Sequence, residues 1–307
     1  MTRLTFTKGH GTENDFVLLF DERGEIELTP ERVRFLCDRH AGIGADGVIR
    51  AVRVGALAVG TVADDAPVDP STWFMDYWNS DGSLSEMCGN GARVFGAFLE
   101  AEASLDLRAG VTILTRGGPR TVSALGHGVY SVGMGAWSLG PAIGPDGRPE
   151  GEMPQAFDST VQARGLHPER PALSVDVGNP HRVVALASVA ELEGLDLTVA
   201  PQVAPTPHEG SNVEFAVTLG GEVVDGRPHG RVRMRVHERG SGETRSCGTG
   251  ACAVALAVRE WAGPGAPDIW DVEVPGGMVT VWVSGDQTML SGPAVLVAKG
   301  VVEVPGA

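Results

Sequence analysis

Apolar positions along this chain fall mostly into short, strand-like runs broken by Gly, Pro, Asn and Asp, with helical spacing in only a few places. Leu4 to Phe6 and Asp15 to Phe20 read as strands, joined by a polar loop from Lys8 to Asn14. Thr29, Pro30 and Glu31 form a helix start, with Thr as N-cap, Pro at the first helical position and an acid in the first turn. That helix would carry Val33, Leu36, Cys37 and His40 on one face, which makes Cys37 a core residue. Val48 to Val52 predicts a strand, residues 55–70 a strand with an acidic loop, and Trp73 to Trp78 a strand ending in the turn cluster Asn79 to Ser83. Further strands are predicted at 111–114, 120–123, 129–132, 172–177, 212–217, 231–236, 272–274, 279–283 and 294–297. The Gly- and Pro-rich passage from Gly140 to Pro154 marks a linker or a loop at a domain boundary.

Two stretches depart from this pattern. Cys88-Gly89-Asn90-Gly91 and Cys247-Gly248-Thr249-Gly250 each precede a run at helical spacing that is largely apolar all round, notably Ala251 to Val258. A helix with no polar face is buried on every side. The two copies lie about half a chain length apart, which suggests a duplicated unit. Many short strands with few helices exclude a doubly wound sheet and point to an α+β chain, with a curved, mostly antiparallel sheet wrapped around one helix, made twice.

Composition narrows the function classes. The formal charge of −15 makes nucleic acid and anionic membrane poor partners. No apolar run approaches the length of a membrane span, and Met1 to Phe6 lacks the apolar core of a signal peptide, so a cytoplasmic location is expected. Four cysteines (Cys37, Cys88, Cys247 and Cys252) are too sparse for a disulfide scaffold and are expected as free thiols. Gly42 to Gly47 matches a dinucleotide fingerprint literally, but a helix precedes it and a strand follows, the reverse of what that motif needs, so it reads as a turn.

The chemistry lies at the two cysteine-led helix starts. A helix N-terminus offers unpaired N–H groups and about half a positive charge, and glycines there let a carboxylate approach the backbone. A cysteine at that position is expected to ionise below its free value of about 8.5. Two such elements could together cradle one carboxylate while their sulfurs flank the adjacent carbon, one removing a proton and the other delivering one to the opposite face. No lysine context for pyridoxal phosphate, no phosphate loop and no metal-ligand spacing is present, so neither cofactor nor metal is expected. Cys252, one turn inside the apolar run, reads as core. A thiol switch and a small-anion binding protein remain alternatives on this reading.

At these residues the chain resembles the diaminopimelate epimerase family. The resemblance runs nearly end to end, through Asn14-Asp15-Phe16, Asn79 to Ser83, Glu86 to Gly91, Gly178-Asn179-Pro180-His181, Ser211 to Phe215, Glu238 to Thr244 and Cys247 to Gly250. It implies two pseudo-symmetric domains, at 1–133 with a returning tail at 292–307 and at 134–291, with the active site between them in a homodimer. It implies that Cys88 and Cys247 are the acid/base thiols that interconvert LL- and meso-2,6-diaminopimelate without a cofactor, for lysine and peptidoglycan precursors. Backbone groups of Gly89, Asn90, Gly248 and Thr249 would cradle the reacting carboxylate. Asn14, Asn79, Asn179, Asn212, Glu238 and Arg239 would hold the rest of the substrate, with His181 and Glu238 tuning the thiols. Arg239 suits a distal carboxylate and Glu238 an ammonium group. Two departures stand out: Gly47 occupies a place where some relatives carry a substrate-contacting glutamine, and Thr12-Glu13 precedes Asn14 where many carry glycine. Proline and hydroxyproline racemases are the nearest rivals, and they resemble Cys-Gly-His-Gly at the first thiol, where this chain has Asn90.

Overall fold

A computed structural model describes residues 2–57, 69–140, 156–208 and 210–306. The acidic loop expected within 55–70 and the passage from Gly140 to Pro154 fall largely outside these residues. The chain divides into two compact units: Met1–Val132 with Ser291–Ala307, and Gly133–Leu290. Both are α+β. Among the described residues the α-helices are α1 (Pro30–Cys37), α2 (Gly89–Ala103), α3 (Val189–Glu193) and α4 (Gly248–Ala262).

In the first unit, strand Thr2–Gly11 turns tightly into Asn14–Phe20, with Gly11 opposite Asn14. Asn14–Phe20 runs parallel to Gly47–Arg53, α1 lying in the crossover, and Gly47–Arg53 pairs antiparallel with Trp73–Asn79. The chain then passes through α2 to Val111–Thr115, which bridges in parallel to Trp73–Asn79 and forms a hairpin with Gly118–Gly126. The second unit repeats these steps. Arg170–Asp176 pairs antiparallel with Pro180–Ala185, which is parallel to Asn212–Val224 across α3. A long hairpin leads to Arg227–Glu238, and α4 fills the parallel crossover to Ile269–Val274, which pairs with Gly277–Ser284. The sequence repeat at the two cysteines is therefore the visible remnant of a repeat that spans each unit.

This correspondence aligns functional positions. Asn14 and the Asn179–Pro180 turn both open the second strand of their unit, Gly47 and Asn212 open the third, Asn79 and Glu238 close the fourth, and Cys88 and Cys247 begin the enclosed helix. α4 is buried from Gly250 through Val258, as its apolar circumference requires. α2 is buried from Gly89 to Leu99 but is not apolar throughout, because Asn90 and Arg93 lie fully inside it. The second glycine of each motif is needed for packing. A Cβ on Gly91 would lie 2.9 Å from Met75 Cε, and one on Gly250 would lie 2.8 Å from Glu214 Oε1.

Other expectations shift. Strand Thr2–Gly11 extends through most of the supposed loop, leaving Thr12 and Glu13 as the turn. α1 ends at Cys37, so His40 is not on its face; it lies exposed in a turn whose N–H groups at His40 and Ala41 donate to Asp38 Oδ1. Cys37 is buried as expected, and burial pushes its thiol up to about 12. Strands Ser159–Gln162, Pro180–Ala185 and Gln287–Pro293, along with α3, were too short or too turn-like in composition to be read.

Thr12 and Glu13 both adopt left-handed backbone, at φ 50° and 63°. This is the two-residue hairpin turn in which Gly and Asn are favoured. Glu13→Gly is expected to gain roughly 0.5–1 kcal/mol in denaturant unfolding, the left-handed strain relieved less the extra freedom of glycine when unfolded. A lower midpoint would show that the Glu13 side chain contributes more than its backbone costs.

Candidate active site

In the first unit, Cys88 is the N-cap of α2, in extended backbone, and its Sγ accepts the Gly91 N–H at 3.4 Å. The thiol donates to Asn14 Oδ1 at 3.6 Å, and Asn90 Nδ2 donates to the same oxygen at 3.3 Å. The other end of the Asn14 amide donates to Asp46 Oδ2 at 2.7 Å, so Asp46 sets which atom of Asn14 faces the sulfur. Asp46 is fixed in turn by Arg39, whose Nη2 lies 2.7 Å from both Asp46 and Asp15. Burial raises the Asp15 carboxyl, but hydrogen bonds and charge from Arg39 and Lys8 outweigh it and bring the group to about 2. Beneath Asn90, Arg93 Nη2 donates to Asn90 Oδ1 at 3.0 Å and to Thr12 Oγ1 at 3.3 Å.

The approach to Cys88 is braced from below. Buried Asp76 holds Arg50 at 2.6 Å, accepts from Trp78 Nε1 at 3.0 Å and pairs with Arg116. Arg116 also donates to the carbonyls of Tyr77 at 3.0 Å and Ser85 at 3.5 Å, and Gly117 N–H donates to Glu86 at 3.0 Å. Asn79 is used differently from Asn14: its side chain donates to Ser83 Oγ at 3.0 Å and closes the turn before this approach.

In the second unit, Cys247 is the N-cap of α4 in nearly the same backbone, and its Sγ accepts the Gly250 N–H at 3.4 Å. Thr249 Oγ1 lies 3.5 Å from the sulfur and receives Asn179 Nδ2 at 3.4 Å. Asn179 Oδ1 is 3.0 Å from His181 Nε2, and His181 Nδ1 is 2.6 Å from Glu214 Oε1, both side chains fully buried. The Glu238 carboxylate accepts from Thr244 Oγ1 and from the Cys247 thiol. Asn212 ties two loops together, accepting the Arg239 N–H at 2.9 Å and donating to Pro180 O at 3.5 Å. Arg239 itself is exposed, beyond the end of its strand.

The helix start does not win at Cys247. Burial foremost, then the charges of Glu238 and Glu214, drive this thiol well above the ordinary cysteine range, while Thr249 and the Gly250 N–H pull the other way. The expected ionisation toward neutrality is therefore reversed, because desolvation and two carboxylates outweigh half a helix charge. Burial likewise raises the Glu238 carboxyl, opposed in part by its hydrogen bonds to Thr244 and Cys247.

In both helices the N–H groups of the two residues after the cysteine, Gly89 and Asn90 or Gly248 and Thr249, precede the first intrahelical bond and are not consumed by the ladder. They sit beside a sulfur that is itself a cap. The Gly47 position is closed: a Cβ there would lie 2.5 Å from Trp78 O and 2.6 Å from Tyr77 Cε2. A glutamine could not enter without moving that strand, and its counterpart in the second unit is Asn212.

Of the residues singled out in the sequence, Asn14 lies beside Cys88, and Asn179, His181 and Glu238 lie around Cys247. Sequence reasoning missed Asp46, Arg39 and Lys8 behind Asn14, and Glu214 behind His181. Glu214 carried a signal, as a glutamate within the otherwise apolar run Val213 to Val217. Cys252 is fully buried on α4, as expected. Among the described residues no group of three or more His, Cys, Asp or Glu side chains is placed to hold a metal ion, and no helix is long and apolar enough to cross a membrane.

Residues 6–139 and 173–297 match the family model described as diaminopimelate epimerase. The chain is 44% identical over 310 residues to the diaminopimelate epimerase of Streptomyces coelicolor, covering 97% of this chain and 95% of that protein. It is 43% identical over 311 residues to the enzyme of the same name from Rhodococcus jostii, covering 98% and 97%. Among solved structures it is similar to a phenazine biosynthesis protein of the PhzF family from Bacillus anthracis, at a TM-score of 0.67 and 15% identity over 99% of this chain and 100% of that one. A hydroxyproline epimerase from Agrobacterium vitis shares the fold at a TM-score of 0.57 and 14% identity, covering 98% and 92%.

Proposed function

This chain belongs to the diaminopimelate epimerase family, and we propose that it interconverts LL- and meso-2,6-diaminopimelate by a two-thiol mechanism. It is an isomerase of amino-acid biosynthesis, and its product serves lysine and peptidoglycan precursors. The observation that carries the mechanism is the matched pair of cysteine N-caps on buried helices, each sulfur accepting the N–H of the third residue beyond it at 3.4 Å.

One sulfur, as thiolate, takes the α-proton; the C–H electron pair stays on carbon, and the opposite thiol returns a proton to the other face. The first sulfur ends protonated and the second ionised, so the exchange balances without an oxidant or reductant. The first-turn N–H groups of Gly89, Asn90, Gly248 and Thr249 receive the carboxylate as its charge grows, a role in which one donor is worth about 10²–10³ in rate. Asn14, Asn79, Asn179 and Asn212 position the substrate amine and carboxylate groups. Arg239, exposed and unshielded by its strand, pairs with the distal carboxylate. Glu238, already hydrogen-bonded to Cys247, tunes that thiol and holds an ammonium, and His181 acts on the same side.

The closed Gly47 position supports the view that the first unit contributes no long amide at that place. We further propose a cytoplasmic homodimer. Val295, Val297 and Val301 are exposed on strand Val295–Val304, and apolar side chains so exposed suit burial against a second copy.

A panel of LL-2,6-diaminopimelate, L-proline and trans-4-hydroxyproline tests the substrate. Turnover is expected with the first alone, because a cyclic imino acid carries no distal carboxylate for Arg239 to read. Racemisation of proline with diaminopimelate untouched would reject the reading.

A further inference from the structure

Glu214 is a fully buried carboxylate that the mechanism above leaves idle. Oε1 meets His181 Nδ1 at 2.6 Å, while Oε2 has no hydrogen-bond partner among the described residues. A buried carboxylate with one oxygen unsatisfied is costly, and an apolar side chain of similar size in its place is often neutral or stabilising. The packing around it is built to keep it, since α4 has glycine at 250, where any Cβ would meet Oε1.

The direction of the hydrogen bonds beyond it indicates why. A carbonyl oxygen only accepts, so Asn179 Oδ1 at 3.0 Å requires a hydrogen on His181 Nε2. The Asn179 oxygen thus fixes a hydrogen on Nε2, and Glu214 Oε1 at 2.6 Å from Nδ1 anchors the other end of the ring. Asn179 then presents Nδ2 to Thr249 Oγ1 at 3.4 Å. The hydroxyl, having accepted there, turns its own hydrogen toward Cys247 Sγ at 3.5 Å. Every bond in the series donates toward the sulfur.

We infer that Glu214 is a positioning residue of the Cys247 site, fixing the polarity of a hydrogen-bond series from His181 through Asn179 and Thr249 so that it ends as a donor on the sulfur. The inference rests on the two-thiol reading for its rate consequence, but not for its geometry. Without a fixed donor at its oxygen, the Thr249 hydroxyl is free to rotate and accept instead. Glutamine at 214 is nearly isosteric, yet its amide donates as readily as it accepts and carries no charge, so the polarity is no longer imposed.

The test is the coupling between the two ends of the series, read in the full-length enzyme. Thr249→Val removes the last hydroxyl and is expected to lower kcat on LL-diaminopimelate about tenfold, with KM within about threefold and Thr249→Ser restoring the rate. In the Glu214→Gln background the same Thr249→Val change is expected to alter kcat less than about twofold. The melting temperature of Glu214→Gln should be no lower than that of the wild type. A Thr249→Val effect of equal size in both backgrounds would overturn the inference, as would Glu214→Gln at the wild-type rate. The same four proteins are read again by the rate of Cys247 alkylation with iodoacetamide, resolved from Cys252 by peptide fragmentation. Thr249→Val should slow alkylation with Glu214 present and leave it unchanged in Glu214→Gln. Wild-type enzyme idle on diaminopimelate would reject the proposed function, while the alkylation series still decides the role of Glu214.

Discussion

Cys88→Ala and Cys247→Ala are each expected to lower exchange of the diaminopimelate α-hydrogen with solvent deuterium by about 10³-fold, within the range of a lost general acid or base. The loss should be nearly as deep in either single variant as in the double, because each half-reaction needs both sulfurs. Alanine also removes a cap, since each Sγ accepts a backbone N–H of its helix, so a stability loss of about 1 kcal/mol accompanies it. Serine separates the two effects. Its oxygen accepts the same N–H but is far too weak an acid to serve as the base, so Cys→Ser variants should fold as the wild type and still be inactive. Loss of the α-proton NMR signal in deuterated buffer measures the exchange. Wild-type exchange in any one of these variants would refute the two-base mechanism.

Asp76→Ala is expected to destabilise the first unit by about 3–5 kcal/mol, the usual result of leaving buried charge uncompensated. The Asp76 side chain is 2% exposed and lies between the guanidinium groups of Arg50 and Arg116, at 17% and 15%. Removing it leaves two partly buried cations facing each other with no anion between them. Guanidinium unfolding should show the loss, and melting should fall by roughly 6–20 °C for a unit of this size. The same change loosens Arg116, which holds the carbonyls of Tyr77 and Ser85 on the approach to Cys88. Activity should therefore fall before the unit unfolds. A destabilisation below about 1 kcal/mol would show that water compensates the arginines.

What could be read in the sequence was what periodicity and local chemistry encode. The N-cap at Thr29 with Pro30, the two cysteine-led helices and the runs Trp73 to Trp78 and Arg231 to Val236 are strong local signals, and all of them are present in the fold. The extension of the first strand to Gly11 was hidden because Lys8, Gly9 and His10 have no strand composition; pairing with Val295–Val304 on one side and Asn14–Phe20 on the other holds them extended. Lys8 and Asn14 are distant in sequence from Arg39 and Asp46 and meet them only through the parallel crossover, so no spacing rule could join them. The ionisation of Cys247 was misjudged for a related reason. The helix dipole is a local property that the motif announces, whereas Glu214 and Glu238 arrive from other strands and burial comes from the whole unit. Asn79 and Asn212 show the same limit, since their amides are engaged in ties to Ser83, Arg239 and Pro180 that only the fold reveals.

Strand Val295–Val304 lies antiparallel to the first strand, with Thr2 opposite Val304, yet the whole of the second unit separates them in the chain. Synthesis therefore runs through every residue of the second unit before the first can complete its sheet. Domains commonly fold as units in the order they emerge. Here that order is inverted: residues 133–290 are continuous and can close first, while the earlier segment waits with an open edge along Thr2–Gly11. The first unit therefore keeps an unpaired strand edge until the last residues are made.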